Sequence, residues 1–365
     1  MLDRVKDFVA HEFIIRDAKM SDINDIYTLG AQLNTVNLPA DKAELEQVIW
    51  SSGQSFSLQE HNPNKRSFLF VLVNSADQVI GTSQIFAKHG SLDSPHSFFE
   101  LNYDERYSET LHKHFRHRTL HLRQNFDGPT EIGSLVLDKK YRSMPSRLGR
   151  NLSFVRFLFM AMNPDFFSKR ILAELLPPLG PNFESALWEA IGRKFTGLNY
   201  YEADMLSRKN KEFIRTLFPA NEIYLSLLPD SAQEVIGQIG INSRAAAHLL
   251  AKIGFRYSQR VDPFDGGPHF EADWADISLM KQALHGTAIC STGQIPHHGD
   301  EALRVGLVGR FCPSNQSGQR FRTTLAAYYY LASAQKIFLH EQSMAVLGLS
   351  QGDQLSVIDT THKPD

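Results

Sequence analysis

Three arginines and a glycine crowd one short stretch of this 365-residue chain: Arg142, Arg147, Gly149 and Arg150 lie within residues 138–151. An apolar strand pattern, residues 132–137, precedes them, and an apolar helix pattern starts at Leu148. The first turn of a helix carries unpaired N–H groups and a partial positive charge, and added guanidinium groups strengthen its hold on phosphate. On these residues alone the stretch reads as an anion site or as a solvated loop. Glu174 is a charge inside the apolar run 171–175. It reads as a general base, as a partner for a guanidinium, or as a strand-end carboxylate paired to a nearby Arg. His112, His114 and His117 alternate with cations at irregular spacing, which suits a solvated basic segment better than a zinc site. Cys290, Cys312 and the pair His297-His298 lack the paired spacing of a metal site, and no metal is expected.

These residues need a scaffold, and the chain supplies an alternating one. Residues 13–16 read as a strand, and Ser21 reads as the cap of a helix with Ile23, Ile26, Leu29 and Leu33 on one face. Pro39-Ala40-Asp41 opens a second helix, and residues 67–73 and 79–86 form a hairpin around the turn 74–77. Residues 90–130 show no clean period. The helix from Leu148 stops at Asn163-Pro164, and residues 171–175 return as a strand. Helices are expected at 185–191, 209–217 and 243–253, with Gly254 ending the last. Beyond residue 286, Gly, Pro, His and Ser cluster before strands at 303–308 and 354–358, which predicts a small β-rich C-terminal unit.

Lys and Arg number 38 against 40 Asp and Glu, a net charge of -2, and this balance argues against a general nucleic-acid binder. No apolar run approaches the roughly 20 residues of a membrane span, and residues 1–7 lack a signal-peptide core. A reduced, cytoplasmic location is the expectation.

Several colinear motifs resemble the arginine N-succinyltransferase family, of the Gcn5-related N-acetyltransferase fold class. They include Ile14-Ile15-Arg16, Leu38-Pro39-Ala40, the run 131–137 with Tyr141-Arg142, Ala173-Glu174 and the run 187–195. The most specific are residues 232–238, 254–257 and 262–268, and the run 352–357 closes the chain as in the family. The resemblance implies an α/β fold, a mixed sheet with flanking helices, completed by the small C-terminal unit. The expected division is an acyl-CoA-binding core at 12–180, a second α/β half completing the acceptor site at 181–285, and the β-rich unit at 286–365.

The resemblance also implies chemistry. Succinyl-CoA is the co-substrate, with no permanently bound cofactor, and the acceptor is the α-amine of arginine or ornithine. Pantetheine is expected along Leu135, Val136 and Leu137, and the pyrophosphate on Arg142, Arg147, Leu148, Gly149 and Arg150. The family pattern has glycine at the position of Arg147. Glu174, Trp188, Gln238 and Asp265 are expected on the acceptor side, with a core role as the alternative for Trp188. The family's proton-donor His falls at Gly240, so Tyr224 is the expected donor, with Ser243 the other candidate and core packing the other reading of Tyr224. The family's Met-Arg-Gly after Ala-Glu is here Leu175-Leu176-Pro177, and residues 33–39 also depart from the pattern. Other readings are a same-fold N-acyltransferase with a different donor or amine, and a non-catalytic partner subunit. A homo- or hetero-oligomer is expected, with no nucleic acid or membrane partner.

Overall fold

The structure, a computed structural model, describes residues 12–33, 38–39, 41–92, 94–181, 184–207, 211–292, 295 and 303–360. His297, His298, Ala40, Lys209 and residues 34–37 of the divergent early segment lie outside the described residues. The chain forms two units, each discontinuous in sequence. One comprises residues 1–87, 132–167 and 274–365, and the other residues 88–131 and 168–273.

In the first unit, strand Ser67–Val73 is buried at every position and pairs antiparallel with Val79–Phe86, the hairpin its apolar pattern predicts. Ile14–Asp17 pairs with Ser67–Val73 on one side and with Phe321–Leu331 on the other. That second pairing changes the expected division. The C-terminal strands Leu284–Ser291, Arg304–Phe311, Phe321–Leu331, Lys336–His340 and Gln354–Asp359 pair around a closed ring. The ring is β-rich as expected. It is not separate, because Thr323 and Arg322 face Ile15 and Arg16 across a ladder. Nor do the boundaries 12–180 and 181–285 match, since residues 88–131 join the second unit.

Helix Leu148–Met162 fills the middle of the first unit and is buried on nearly all sides from Leu148 to Met160. A helix apolar all round belongs inside a core. Phe159 meets Phe56, Phe68, Phe70 and Phe321 at ring separations of 4.7–5.4 Å. Helix Lys42–Phe56 starts where expected, and Asp41 caps it by accepting from Glu44 N. Ser21 does not cap its helix. It lies within a short 3-10 turn, Met20–Asp22, that precedes helix Ile23–Leu33.

The second unit holds strands in the order Arg170–Glu174, Pro268–Asp273, Arg256–Val261, His96–Ser108, Lys113–Asn125 and Ile223–Tyr224. The unreadable region 90–130 is thus one long antiparallel hairpin. Its core gathers Trp188, Phe99, Leu120, Phe218 and Phe264. Strand Thr130–Leu137 starts in this unit, pairing parallel with Arg170–Glu174 through Thr130–Ile171 and Glu131–Leu172.

Candidate active site

Glu174 ends its strand directly opposite His269 in the ladder, so both side chains stand on one face of the sheet. His96, at the start of the long hairpin, reaches the same carboxylate. Its Nε2 lies 3.0 Å from Glu174 Oε1, and His269 Nε2 lies 3.4 Å from the same oxygen. The two imidazoles are stacked, with centroids 5.5 Å apart and an interplanar angle of 17°. Local irregularity aims His269. Between Pro268 and Phe270 the register with Arg256–Val261 shifts, and Gln259 on the facing strand has φ 60. Such bulges re-aim side chains. His89 stands edge-on to His96 at 4.5 Å and pairs through Nδ1 with Glu131 at 2.6 Å.

The electrostatics are those of a receptor for positive charge. Burial pushes both His96 and His269 down to about 4, so both rings are neutral at pH 7. Burial alone would raise the Glu174 carboxyl, but His269 and His96 outweigh it and hold it well below the ordinary carboxylate range. The carboxylate keeps 26% of its surface open to solvent, whereas His269 has none. Asp262 is pushed up to about 7 by burial and then by the charge on Glu174. Asp265 is driven well above the ordinary range by burial and by Asp262. A carboxylate ionised this far below neutrality is a weak base at pH 7 and a strong partner for a cation. Of the roles open to Glu174 from sequence, the geometry favours the cation partner.

Tight turns bring further expected residues to this end of the strand. Asp262 Oδ1 accepts from the N–H groups of Phe264 and Asp265, and Asp265 Oδ1 accepts from Gly267 N–H. Gly237 N donates to Gly266 O at 2.8 Å, and Gly240 N donates to Leu176 O at 2.9 Å. Glu174, Gln238, Gly240 and Asp265 are thereby gathered. Gln238 is exposed. A side chain at Gly240 would place its Cβ 2.4 Å from Pro177 O, so no histidine fits there without backbone movement. Ser243 lies beside this turn, its N–H donating to Gly240 O at 2.9 Å.

Two expected residues stand elsewhere. Tyr224 pairs with Thr119 on the edge strand, five ladder steps from the strand of Glu174, and its hydroxyl donates to Asp104 at 2.5 Å. Trp188 has no exposed surface. It stacks on Phe264 at 5.0 Å and donates from Nε1 to Leu198 O, so it is a core residue rather than a platform. The histidines of the hairpin tip, His112 and His114, are exposed, as a solvated segment requires. Sequence reasoning missed His96, His269 and His89. The available signal was a histidine directly after the Gly266-Gly267-Pro268 turn, next in line to a strand.

The arginine loop belongs to the first unit. Arg147 takes φ 50 and ψ 44 at the N-terminus of helix Leu148–Met162, the left-handed conformation glycine adopts freely. Arg142 Nε donates to Leu137 O at 3.0 Å. Gly149 faces only Leu137, at ordinary contact distance from a built Cβ. Ser146 Oγ, Arg150 Nε and Asn151 Oδ1 are buried with no hydrogen-bond partner. A cavity of about 290 Å³ opens beside the loop, lined by Leu72, Met144, Ser146, Leu148, Asn151 and Thr323 among others. Val136 and Leu137 are buried, Leu135 half-buried, and Ser134 breaks the strand's regular pleat at φ 48.

Comparison with known proteins places this arrangement. The family model described as arginine N-succinyltransferase beta subunit matches residues 13–279. An arginine N-succinyltransferase of Yersinia pestis is 29% identical over 349 residues, covering 94% of this chain and 97% of the relative. The arginine N-succinyltransferase subunit alpha of Pseudomonas aeruginosa is 29% identical over 350 residues, covering 94% and 99%. The solved structure of arginine/ornithine succinyltransferase subunit AI from the same organism superposes with a TM-score of 0.78 at 25% identity, covering 96% of this chain and 99% of that one.

Proposed function

The chain belongs to the arginine N-succinyltransferase family, and from that premise we propose that it moves a succinyl group from succinyl-CoA to the α-amine of arginine, in arginine catabolism. The observation that carries this reading is the near-full-length match, and the part-exposed Glu174 carboxylate and the unpartnered polar atoms of the arginine loop support it. In this reading the amine nitrogen attacks the thioester carbonyl carbon, the C–N bond forms, and the C–S bond breaks to release coenzyme A. The protein orients the two reactants and needs no covalent intermediate.

Glu174 receives a cationic group of the acceptor, and the part-ionised Asp262 adds negative potential. The diphosphate of the donor lies on Arg142, Arg147 and Arg150 and on the first N–H groups of helix Leu148–Met162, and pantetheine lies along Leu135, Val136 and Leu137. Ser146, Arg150 and Asn151 support this placement, because buried polar atoms without partners are costly unless a ligand supplies one. Ornithine is a second acceptor candidate, and Gln238 borders the acceptor. The chain acts in the cytoplasm and in an oligomer, of its own kind or with a second subunit.

A same-fold enzyme with another donor or amine is the second reading. Leu176 and the closed Gly240–Pro177 contact favour it. Thiol release from succinyl-CoA with arginine, ornithine and other amines, run beside acetyl-CoA, decides between them. Arginine-dependent release from succinyl-CoA supports the first reading, and a preference for acetyl-CoA or another amine supports the second. No release with any pair defeats both and leaves a non-catalytic subunit. Arg150→Ala is expected to weaken succinyl-CoA binding by about tenfold or more, the scale of one lost charge-assisted hydrogen bond.

A further inference from the structure

Two imidazoles converging on one carboxylate form a donor set as well as an acceptor pocket. We propose that His96 Nε2, Glu174 Oε1 and His269 Nε2 form a binding site for a first-row divalent cation, zinc or its analogue cobalt, with the fourth position left to solvent. The spacing carries the proposal. Zinc bonds of about 2.0–2.1 Å at tetrahedral angles separate donors by about 3.3 Å. Here the carboxylate oxygen stands 3.0 Å from one imidazole nitrogen and 3.4 Å from the other, and all three donor atoms lie within 4.8 Å of one another. Strand pairing fixes two of the three, since Glu174 and His269 face each other in the ladder. Among the described residues, this is the one cluster of His, Cys, Asp and Glu with such spacing.

The donors also have the right chemistry. Both ring nitrogens of His269 and Nδ1 of His96 are buried without hydrogen-bond partners. Apart from the 3.4 Å approach of Nε2 to Glu174, the ring of His269 has no polar partner among the described residues, and an ion would satisfy Nε2 and leave the ring proton on Nδ1. Two imidazoles with one carboxylate and an open position match open zinc sites rather than closed structural ones. The retained exposure of Glu174 gives the ion and a water their entrance. The site stands whatever the acyl acceptor is. If Glu174 does hold a cationic acceptor, the ion competes with it for the same oxygen.

The full chain, stripped of metal with a chelator, is titrated with cobalt(II) and followed by visible absorption. The expected result is one equivalent bound, with the intense d–d bands of a four-coordinate ion, no sulfur charge-transfer band from Cys290 or Cys312, and displacement by zinc. His269→Gln and His96→Gln, each checked for native near-UV circular dichroism, are expected to weaken binding at least tenfold, while His114→Gln on the exposed hairpin changes nothing. Absence of binding below millimolar cobalt overturns the proposal. So does binding that both cluster variants leave intact, or that the hairpin variant removes. Each of these results leaves the acyltransfer assay, run with chelator and no added metal, to be judged by itself.

Discussion

Two charge clusters in this protein, one around Arg16 and one around Glu174, differ in completion. Arg16 is matched by carboxylates. Its guanidinium holds Asp22 through bonds of 2.7 and 2.9 Å and Asp77 at 3.1 Å, while Asp22 also accepts from Lys19 N–H and Asp77 from Lys19 Nζ. Around Glu174 the groups converge, yet three imidazole nitrogens lack hydrogen bonds, one carboxyl sits at about 7, and the Glu174 side chain keeps part of its surface open to solvent. A closed network ties helix Ile23–Leu33 and its entry turn to the sheet. An open one holds unmet hydrogen-bonding and charge capacity, which is what a ligand site requires.

The largest expected effect breaks the closed cluster. Asp22→Ala leaves the Arg16 charge, 3% exposed, without its bidentate partner, and should cost about 3–5 kcal/mol of unfolding free energy in a denaturant titration. Glu174→Gln should cost less than about 1 kcal/mol in the same experiment, because it removes a charge that the protein keeps for something else. Equal losses would erase the distinction between the clusters.

A middle-sized effect concerns pH. Asp262 titrates in the folded protein at about 7, above its ordinary 3.8. The unfolded chain therefore loses that proton first, and the ionised carboxyl costs stability progressively as pH rises from about 4 to 7. Asp262→Asn removes that cost. Its melting temperature should exceed the wild type's at pH 8, with the gain fading to nothing as pH falls toward 4. A gain that instead grows in acid would reverse the assigned sign.

The smallest effect is expected at Tyr224. Tyr224→Phe loses a bond to Asp104 at an edge strand, and turnover should change less than about twofold, as for a surface hydrogen bond remote from the chemistry. A hundredfold loss would return Tyr224 to the proton-donor role that the sequence suggests.

The sequence makes the hairpin Ser67–Val73 with Val79–Phe86 and the helix Leu148–Met162 plain, because continuous apolar runs between turn residues have few other solutions. Residues 96–125 are opaque for the opposite reason. Past Asn102 both faces of that hairpin meet solvent, so no alternation is imposed. Glu174 is legible as a charge in an apolar strand, and its histidines are not. His96 and His269 meet it only through pairings between strands, 78 and 95 residues away in the chain respectively, a register no local pattern encodes. The Arg147 turn is half legible. Its arginine hides a left-handed backbone that glycine would have announced. Of the C-terminal ring only Arg304–Phe311 and Gln354–Asp359 are legible as strands, and the pairing of Phe321–Leu331 to Ile14–Asp17 is not.

The direct test is steady-state acyl transfer by Glu174→Gln, assayed with succinyl-CoA and arginine across a range of arginine concentrations. The account expects kcat/KM for arginine to fall by about 100-fold or more, the scale of losing a positioned charged partner, with succinyl-CoA affinity unchanged. A variant that keeps kcat/KM within threefold of the wild type would show that the open cluster does not receive the acceptor.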